Sequence, residues 1–219
     1  MKALSIAVAM SVAALPQPGS AEVITPVSVE ASSTFRTYDK NNLIDGSGLD
    51  TSGLHDSSFG NMWMTDLGEP TGVLTFDLGG LYSLDSASLW QYNFGTNTPV
   101  ISTLDRGVDR FRILTSVDGV TYDEVFSGNM TRSPDGSPVG AQVFSLAPVD
   151  ARFVQLDLLS NFSIGTIYED SYPIGLSEVR FGGSVAGAVP EPTTWLLLVM
   201  GIGAVGAAMR RKKVSIAYA

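Results

Sequence analysis

The fold class is decided by a stretch of nine residues, Val108-Asp109-Arg110-Phe111-Arg112-Ile113-Leu114-Thr115-Ser116. Its apolar and polar side chains alternate, and a period of two predicts a half-buried β-strand. The face that carries Phe111 and Ile113 is predicted to point inward. An Asp-Gly pair within residues 117–120 is a typical hairpin turn, and residues 121–126 form the returning strand. The stretch therefore predicts an antiparallel pair.

Similar short apolar segments recur along the middle of the chain. The predicted strands cover residues 22–30, 72–77, 84–92, 108–116, 121–126, 141–146, 151–159 and 175–181. Pro26 marks the first of them as an edge strand. Residues 45–62 are rich in Gly, Ser, Asp and Asn and predict a long ordered loop, closed by a core anchor at Met62-Trp63-Met64. No segment keeps a helical period, so the prediction is an all-β antiparallel sandwich.

The amino-terminal segment is expected to be a secretory signal peptide. A basic residue precedes the apolar run 3–15, and a small-residue cleavage site ends at Ala21. The run is too short for a membrane helix, and Pro16 and Pro18 break it. Residues 1–21 are therefore predicted to be removed, which leaves enough chain for one domain with a complete core.

The carboxyl-terminal segment predicts a membrane helix. Residues 193–209 carry no charge, and a helix of that length spans about 25 Å, near the lower limit for crossing a membrane. Four basic residues follow at 210–213, and such clusters stay on the cytoplasmic side. Residues 210–219 are therefore expected to be a basic cytoplasmic tail, and everything before Pro190 is expected to be exported across the inner membrane.

The order of elements in this tail resembles the PEP-CTERM sorting signal of Gram-negative bacteria. The motif consists of Val189, Pro190, Glu191 and Pro192, at the end of a linker over 184–192, and is followed by the apolar helix and the basic cluster. The resemblance implies cutting by an exosortase-type processing enzyme after transient anchoring, and release or transfer to the cell surface. A plain membrane anchor is the alternative. The two prolines favour sorting, because they keep the cut site extended.

A second resemblance, to discoidin-type domains (coagulation-factor type C or galactose-binding-like), rests on an ordered set of segments. They are Ala31-Ser32-Ser33, Asn42 to Gly46, Met62-Trp63, Leu74 to Gly79, Val108 to Ile113, Ser116 to Gly119, Ala151 to Leu156 and Leu176 to Phe181. The family implies an eight-stranded jelly-roll β-sandwich over residues 22–183, with ligand-binding loops at one end, mostly for glycans. The chain departs from the family where Asp45 and Trp63 lie far apart, which indicates an insertion.

Composition excludes several kinds of chemistry. The full chain has a net charge of −9. Without the two ends, 8 of the 13 basic and 21 of the 22 acidic residues remain, so the exported part is near −13 and repels nucleic acid. With no cysteine and one histidine, the chain cannot build a thiolate site or a histidine cluster. The protein is predicted not to be an enzyme.

The long loop predicts a structural calcium site. Calcium prefers six to eight oxygen ligands, and the loop offers Asp45, Asp50, Asp56 and the carbonyl groups around Asn42. The discoidin resemblance implies that a glutamate of the last strand closes such a site, and Glu178 holds that position. Alternatively, these acids are solvated turn-formers.

A carbohydrate site is predicted from aromatic and polar side chains in or near polar loops: His55, Trp90, Tyr92 and Arg106, together with Tyr168 and Tyr172. Sugars stack their apolar faces on such rings. The aromatic residues suit the core equally well, and His55 could serve as a loop hydrogen-bonder. The predicted function is a non-catalytic surface or biofilm-matrix protein that binds extracellular polysaccharide. The alternative is a structural or adhesive protein that contacts other proteins.

Overall fold

The computed structural model describes residues 22–95, 102–169, 171–187 and 200–202. Residues 22–185 hold eight β-strands: β1 (Glu22–Ile24), β2 (Ser28–Ala31), β3 (Trp63–Met64), β4 (Gly72–Gln91), β5 (Val108–Ser116), β6 (Asp123–Asn129), β7 (Gln142–Asn161) and β8 (Gly175–Val185). Single-turn 3₁₀ helices occupy Lys40–Leu43, Phe59–Asn61 and Thr103–Arg106. The all-β prediction is confirmed.

The strands form one antiparallel sheet in the order β1-β8-β4-β7-β5-β6, with β2 on β4 and β3 on β8. The two longest strands, β4 and β7, each have 20 residues and pair with each other along both of their halves. Their register shifts between Asp77 and Tyr82 and again between Leu84 and Ser86. Such irregularities bend a sheet, and here they separate a half bordered by β2 and β5 from a half bordered by β8.

The core lies between these two halves. Phe76 comes from the first half of β4 and Phe181 from β8, and their rings meet edge to face with centroids 5.7 Å apart. Phe111 and Ile113 are fully buried in the same cluster, as the alternation of β5 predicts. Trp63 is also fully buried, so the predicted anchor at the end of the long loop is confirmed.

The strand boundaries differ from those predicted, although the number of strands is the same. Residues 25–27 interrupt the first predicted strand, which becomes β1 and β2. Residues 78–80 were expected to end a strand, but Gly79 adopts a φ of +77° within β4, where its missing Cβ permits a bulge. The chain therefore continues through both halves. The hairpin at Asp118-Gly119 is confirmed by the pairing of β5 with β6.

The register places most of the irregular chain at one end of the sheet, here termed the loop end. It comprises residues 32–39, 44–62, 65–71, 92–95, 102–107, 130–141, 162–169 and 171–174. The opposite end, termed the hairpin end, holds the 117–122 turn, the bend of β4 near residue 80 and the end of β8. The loop end is therefore the larger adaptable surface.

Several predictions fall outside the described residues. They are the signal peptide (1–21), the sorting motif (189–192), the basic tail (210–219) and most of the membrane helix (193–209), of which only residues 200–202 are described, as helix. In the described part of the chain, no helix has the length and apolarity to cross a membrane.

Candidate functional site

Three buried amide side chains hold the loop end in place, each just at or beyond the end of a long strand. Gln91 donates from Nε2 to the carbonyl of Val108 at 2.8 Å and accepts from the Val108 N–H at 2.9 Å. Asn161 donates to the carbonyls of Tyr172 and Pro173, each at 3.1 Å. Asn93 donates to Ser137 O at 3.0 Å. Buried amides need such partners, and here they are backbone groups of two loops and of the first residue of β5.

A group of aromatic rings from different loops meets at this end. Tyr38 contacts Phe59 with ring centroids 5.9 Å apart, and Phe59 contacts Phe94 at 5.7 Å. Tyr38 also approaches Tyr92 at 6.5 Å. These separations are typical of favourable aromatic pairs. The rings therefore join residues 32–39, 57–62 and 92–95 into one surface.

Arg106 extends this surface toward the 162–174 loop. Its Nη1 lies 3.5 Å from the hydroxyl oxygen of Tyr92, and its guanidinium carbon lies 5.4 Å from the centroid of the Tyr172 ring. Tyr172 in turn stacks on Tyr168 at 4.7 Å. We term the set Tyr38, Phe59, Tyr92, Phe94, Arg106, Tyr168 and Tyr172 the aromatic seam.

Burial and charge define what the seam offers to a ligand. Phe59 is 50% exposed, whereas Tyr38 and Tyr172 are each 8% exposed. Burial raises the pKa of Tyr92, and it also raises the pKa of Tyr172, so both hydroxyls stay protonated near neutral pH. Tyr92 is fully buried, so the seam offers a ligand the exposed ring of Phe59, the partly exposed rings of Phe94 and Tyr168, and the half-buried Arg106. This combination suits a ligand with both apolar faces and hydroxyl groups.

The structure divides the four predicted ligand residues into two pairs. Tyr92 and Arg106 lie together in the seam. Trp90 donates from Nε1 to Gly53 O at 2.9 Å, and His55 exchanges backbone hydrogen bonds with Val139. His55 is fully buried and Trp90 is 8% exposed; Trp90 joins the long loop to β4, and His55 joins it to the 130–141 loop. The ligand role of all four stays a prediction.

The sequence analysis did not single out Tyr38, Phe59 or Phe94, which complete the seam. Each is an isolated aromatic residue in a segment without periodicity, so no local pattern separates it from a core residue. Phe59 follows Ser58 in a polar stretch, and that context is the only local sign that its ring is exposed.

The predicted calcium ligands lie in separate places. Asn42 donates to the carbonyls of Gly60 and Met62. Asp50 accepts from the N–H groups of Ser52 and Leu54, and Asp56 accepts from Ser58 N and Asn61 Nδ2. These three side chains are committed to the shape of the loop. Among the described residues, no three acidic or histidine side chains converge on a point that could hold a metal ion.

Asp45 and Glu178 do lie near each other, but a third side chain shares their space. Burial raises the pKa of Glu178 to about 8, the positive charge of Arg180 opposes this rise, and the charge of Asp45 adds to it. Arg180 pairs with Glu178 through Nη1 and donates to the carbonyl of Ile44 at 2.9 Å. The oxygens would suit calcium by type, but with a guanidinium among them these residues do not fit the ion. No comparison tests the calcium prediction.

Two family models match the chain. The F5/8 type C domain model matches residues 28–170, and the PEP-CTERM protein-sorting motif model matches residues 188–212. Both resemblances seen in the sequence are therefore confirmed. A search of curated proteins found no match.

Solved structures with the same fold include three CBM32 carbohydrate-binding modules. A module from a family 31 glycoside hydrolase of Clostridium perfringens has 17% identity and a TM-score of 0.52, over 74% of this chain and 91% of the module. The CBM32 of AlyQ, in complex with 4,5-unsaturated mannuronic acid, has 21% identity and a TM-score of 0.51, over 73% and 97%. A further Clostridium perfringens module, in complex with GalNAc-β-1,3-galactose, has 17% identity and a TM-score of 0.50, over 70% and 93%.

The buried amide of Asn161 generates a stability prediction. Asn161→Ala removes both donors to the 172–173 carbonyls, and unsatisfied buried carbonyls cost about 1–3 kcal/mol. Denaturant unfolding should show a loss of that size. The matched control is Asn129→Ala on β6, where the exposed amide makes one hydrogen bond to Asp109, and its loss should stay below about 0.5 kcal/mol. Equal losses in both variants would contradict the role assigned to Asn161.

Proposed function

The chain belongs to the F5/8 type C domain family, and from that premise we propose that its loop end binds carbohydrate. One observation carries the proposal. Arg106 holds a half-buried guanidinium between the Tyr92 hydroxyl and the Tyr172 ring, within an aromatic surface that includes the exposed Phe59. A sugar ring can stack on the aromatic faces while its hydroxyls accept hydrogen bonds from the arginine.

The charge of the domain favours a neutral glycan. The exported part carries 21 acidic and 8 basic residues, so an anionic polymer would meet net repulsion. Arg106 is a cation within the seam and supplies hydrogen-bond donors without needing an acidic partner. Two of the similar CBM32 modules are in complex with sugars, which supports a carbohydrate ligand here.

We assign this domain a binding role and no catalytic one. The chain has one histidine and no cysteine, and that histidine is fully buried in the inserted loop. The seam consists of rings, hydroxyls and a guanidinium, and none of these is a general base near neutral pH. Attachment to a polysaccharide requires only binding.

The sorting motif supports a surface location for this binding domain. The motif at 188–212 is the part of the chain that an exosortase-type enzyme would process. In our proposal, residues 1–21 direct export, residues 193–209 hold the protein briefly in the inner membrane, and cutting near Pro190-Glu191-Pro192 delivers the domain to the cell surface or matrix. β8 extends to Val185, past the predicted start of the linker at residue 184, and ends at the hairpin end of the domain.

Substitution of Arg106 tests the carbohydrate proposal. Once a glycan array has identified a ligand, Arg106→Ala should weaken its affinity about tenfold or more, because a charge-assisted hydrogen bond contributes roughly 1.5–3 kcal/mol. Phe59→Ala should also weaken binding without loss of stability, since that ring is 50% exposed. Isothermal titration calorimetry measures both.

Arg152→Ala is the matched control for Arg106→Ala. Arg152 lies over the Phe153 ring at 4.9 Å, beside the bend at the hairpin end, and pairs with Asp77. Its removal should leave glycan affinity unchanged. A silent array, or equal weakening by the two arginine variants, would argue against a glycan site in the seam and favour the protein-binding alternative.

The sorting proposal is tested by the intact mass of protein released from the native host. We expect a chain that lacks residues 1–21 and ends near Pro190-Glu191-Pro192. A variant with Ala at all three of these positions should stay in the membrane fraction with its tail attached. If the unsubstituted chain keeps residues 193–219 and stays membrane-bound, the segment is a plain anchor.

A further inference from the structure

Glu178 is the most deeply buried acid of the described chain and lies outside the aromatic seam. Its side chain on β8 has no exposed surface, and its position pairs with Trp90 on β4. The Gly46 N–H and the Arg180 guanidinium approach its carboxylate. A buried carboxylate in this state requires a nearby cation.

Arg180, two residues further along β8, supplies this cation. Side chains at positions i and i+2 of a strand lie on one face, which places Arg180 beside Glu178. Nη1 of Arg180 contacts Glu178 Oε1, donates to Ile44 O at 2.9 Å and lies 3.2 Å from Val179 O. The Arg180 side chain is only 12% exposed. The Arg180 guanidinium thus contacts oxygens of Glu178 and Val179 on β8 and of Ile44 at the start of the long loop.

The turn at residues 44–47, where the long loop begins, leaves space for the Arg180 guanidinium. Asp45 accepts from Ser47 N at 2.7 Å and closes a tight turn, in which Gly46 adopts a φ of +74°. A Cβ on Gly46 would lie 3.3 Å from Nη2 of Arg180. The turn therefore packs directly against the guanidinium, and the absence of a side chain at position 46 leaves room for it.

A divalent ion at this place would compete with the arginine. Calcium needs six to eight oxygens at 2.3–2.6 Å, and the oxygens of Ile44 and Glu178 are already engaged by Nη1. An arginine keeps its charge at all accessible pH values, so an added ion would meet a fixed positive charge within contact distance.

We propose that the Arg180 guanidinium takes the structural place of a divalent cation in this domain, and fastens the 44–47 turn to β8 without metal. The long loop then keeps its shape in calcium-free surroundings. After release from the cell, the long loop at residues 45–62 would keep its structure at any local calcium concentration. The rest of the loop end would be supported in the same way.

Thermal unfolding of the full chain in detergent, with excess EDTA or millimolar calcium chloride, tests this directly. The unsubstituted protein should melt at the same temperature in both conditions, within about 1 °C. Arg180→Ala should lower the Tm in EDTA by roughly 5–10 °C, since it removes the donor that the buried Glu178 side chain and the Ile44 carbonyl share. Calcium should recover part of that loss, because the Glu178 and Ile44 oxygens are then open to the ion.

Arg112→Ala is the control, because Arg112 pairs with Asp157 and Glu124 on a more exposed face. It should change the Tm little and give no response to calcium.

The proposal is overturned if the unsubstituted protein gains several degrees with calcium, if Arg180→Ala melts like the unsubstituted protein, or if calcium fails to restore Arg180→Ala. If Arg180→Ala does not fold, calcium can be titrated into the unsubstituted protein by calorimetry. The proposal predicts no measurable heat of binding, and a measurable heat would contradict it.

Discussion

The pairing of β4 with β7 is the constraint on which the rest of the structure depends. The two strands run side by side through both halves of the sheet, and the bends near residue 80 let the halves face each other across one core. β2 and β8 pair with β4, and β5 pairs with β7; β1 and β3 then pair with β8, and β6 with β5. Gln91 and Asn161 lie at opposite ends of this antiparallel ladder, and the bends fold the ladder back on itself so that both residues reach the loop end.

The loop end is shaped by polar groups placed where the apolar core stops. A chain without cysteine has no disulfides to hold its loops. It uses the buried amides of Gln91, Asn93 and Asn161 instead, which bond to backbone groups of neighbouring loops and of the start of β5. Arg180, paired with Glu178, likewise holds the start of the long loop through its hydrogen bond to the Ile44 carbonyl. Such contacts orient loops well because an unsatisfied buried polar group is costly.

The sequence predicts the fold class more fully than the candidate site. The alternation around Phe111 and Ile113 and the Asp-Gly hairpin specify a strand pair locally, and both were confirmed. The continuity of β4 was not predictable, because the glycines at 79 and 80 are as typical of a turn as of a bulge. The seam was only half predicted, since Tyr38 and Phe59 join it through contacts between distant loops. The role of Arg180 was not predictable, because its partner Ile44 lies 136 positions away in the chain.

The central claim is that a glycan binds at the loop end of a rigid sheet. Hydrogen–deuterium exchange of the full chain, with and without a bound oligosaccharide, tests it most directly, because exchange reports each loop separately. The account predicts slower exchange in residues 57–62, 102–107 and 162–169, and no change in the 117–122 turn at the hairpin end. Slower exchange confined to the hairpin end, while the oligosaccharide is bound, would contradict it.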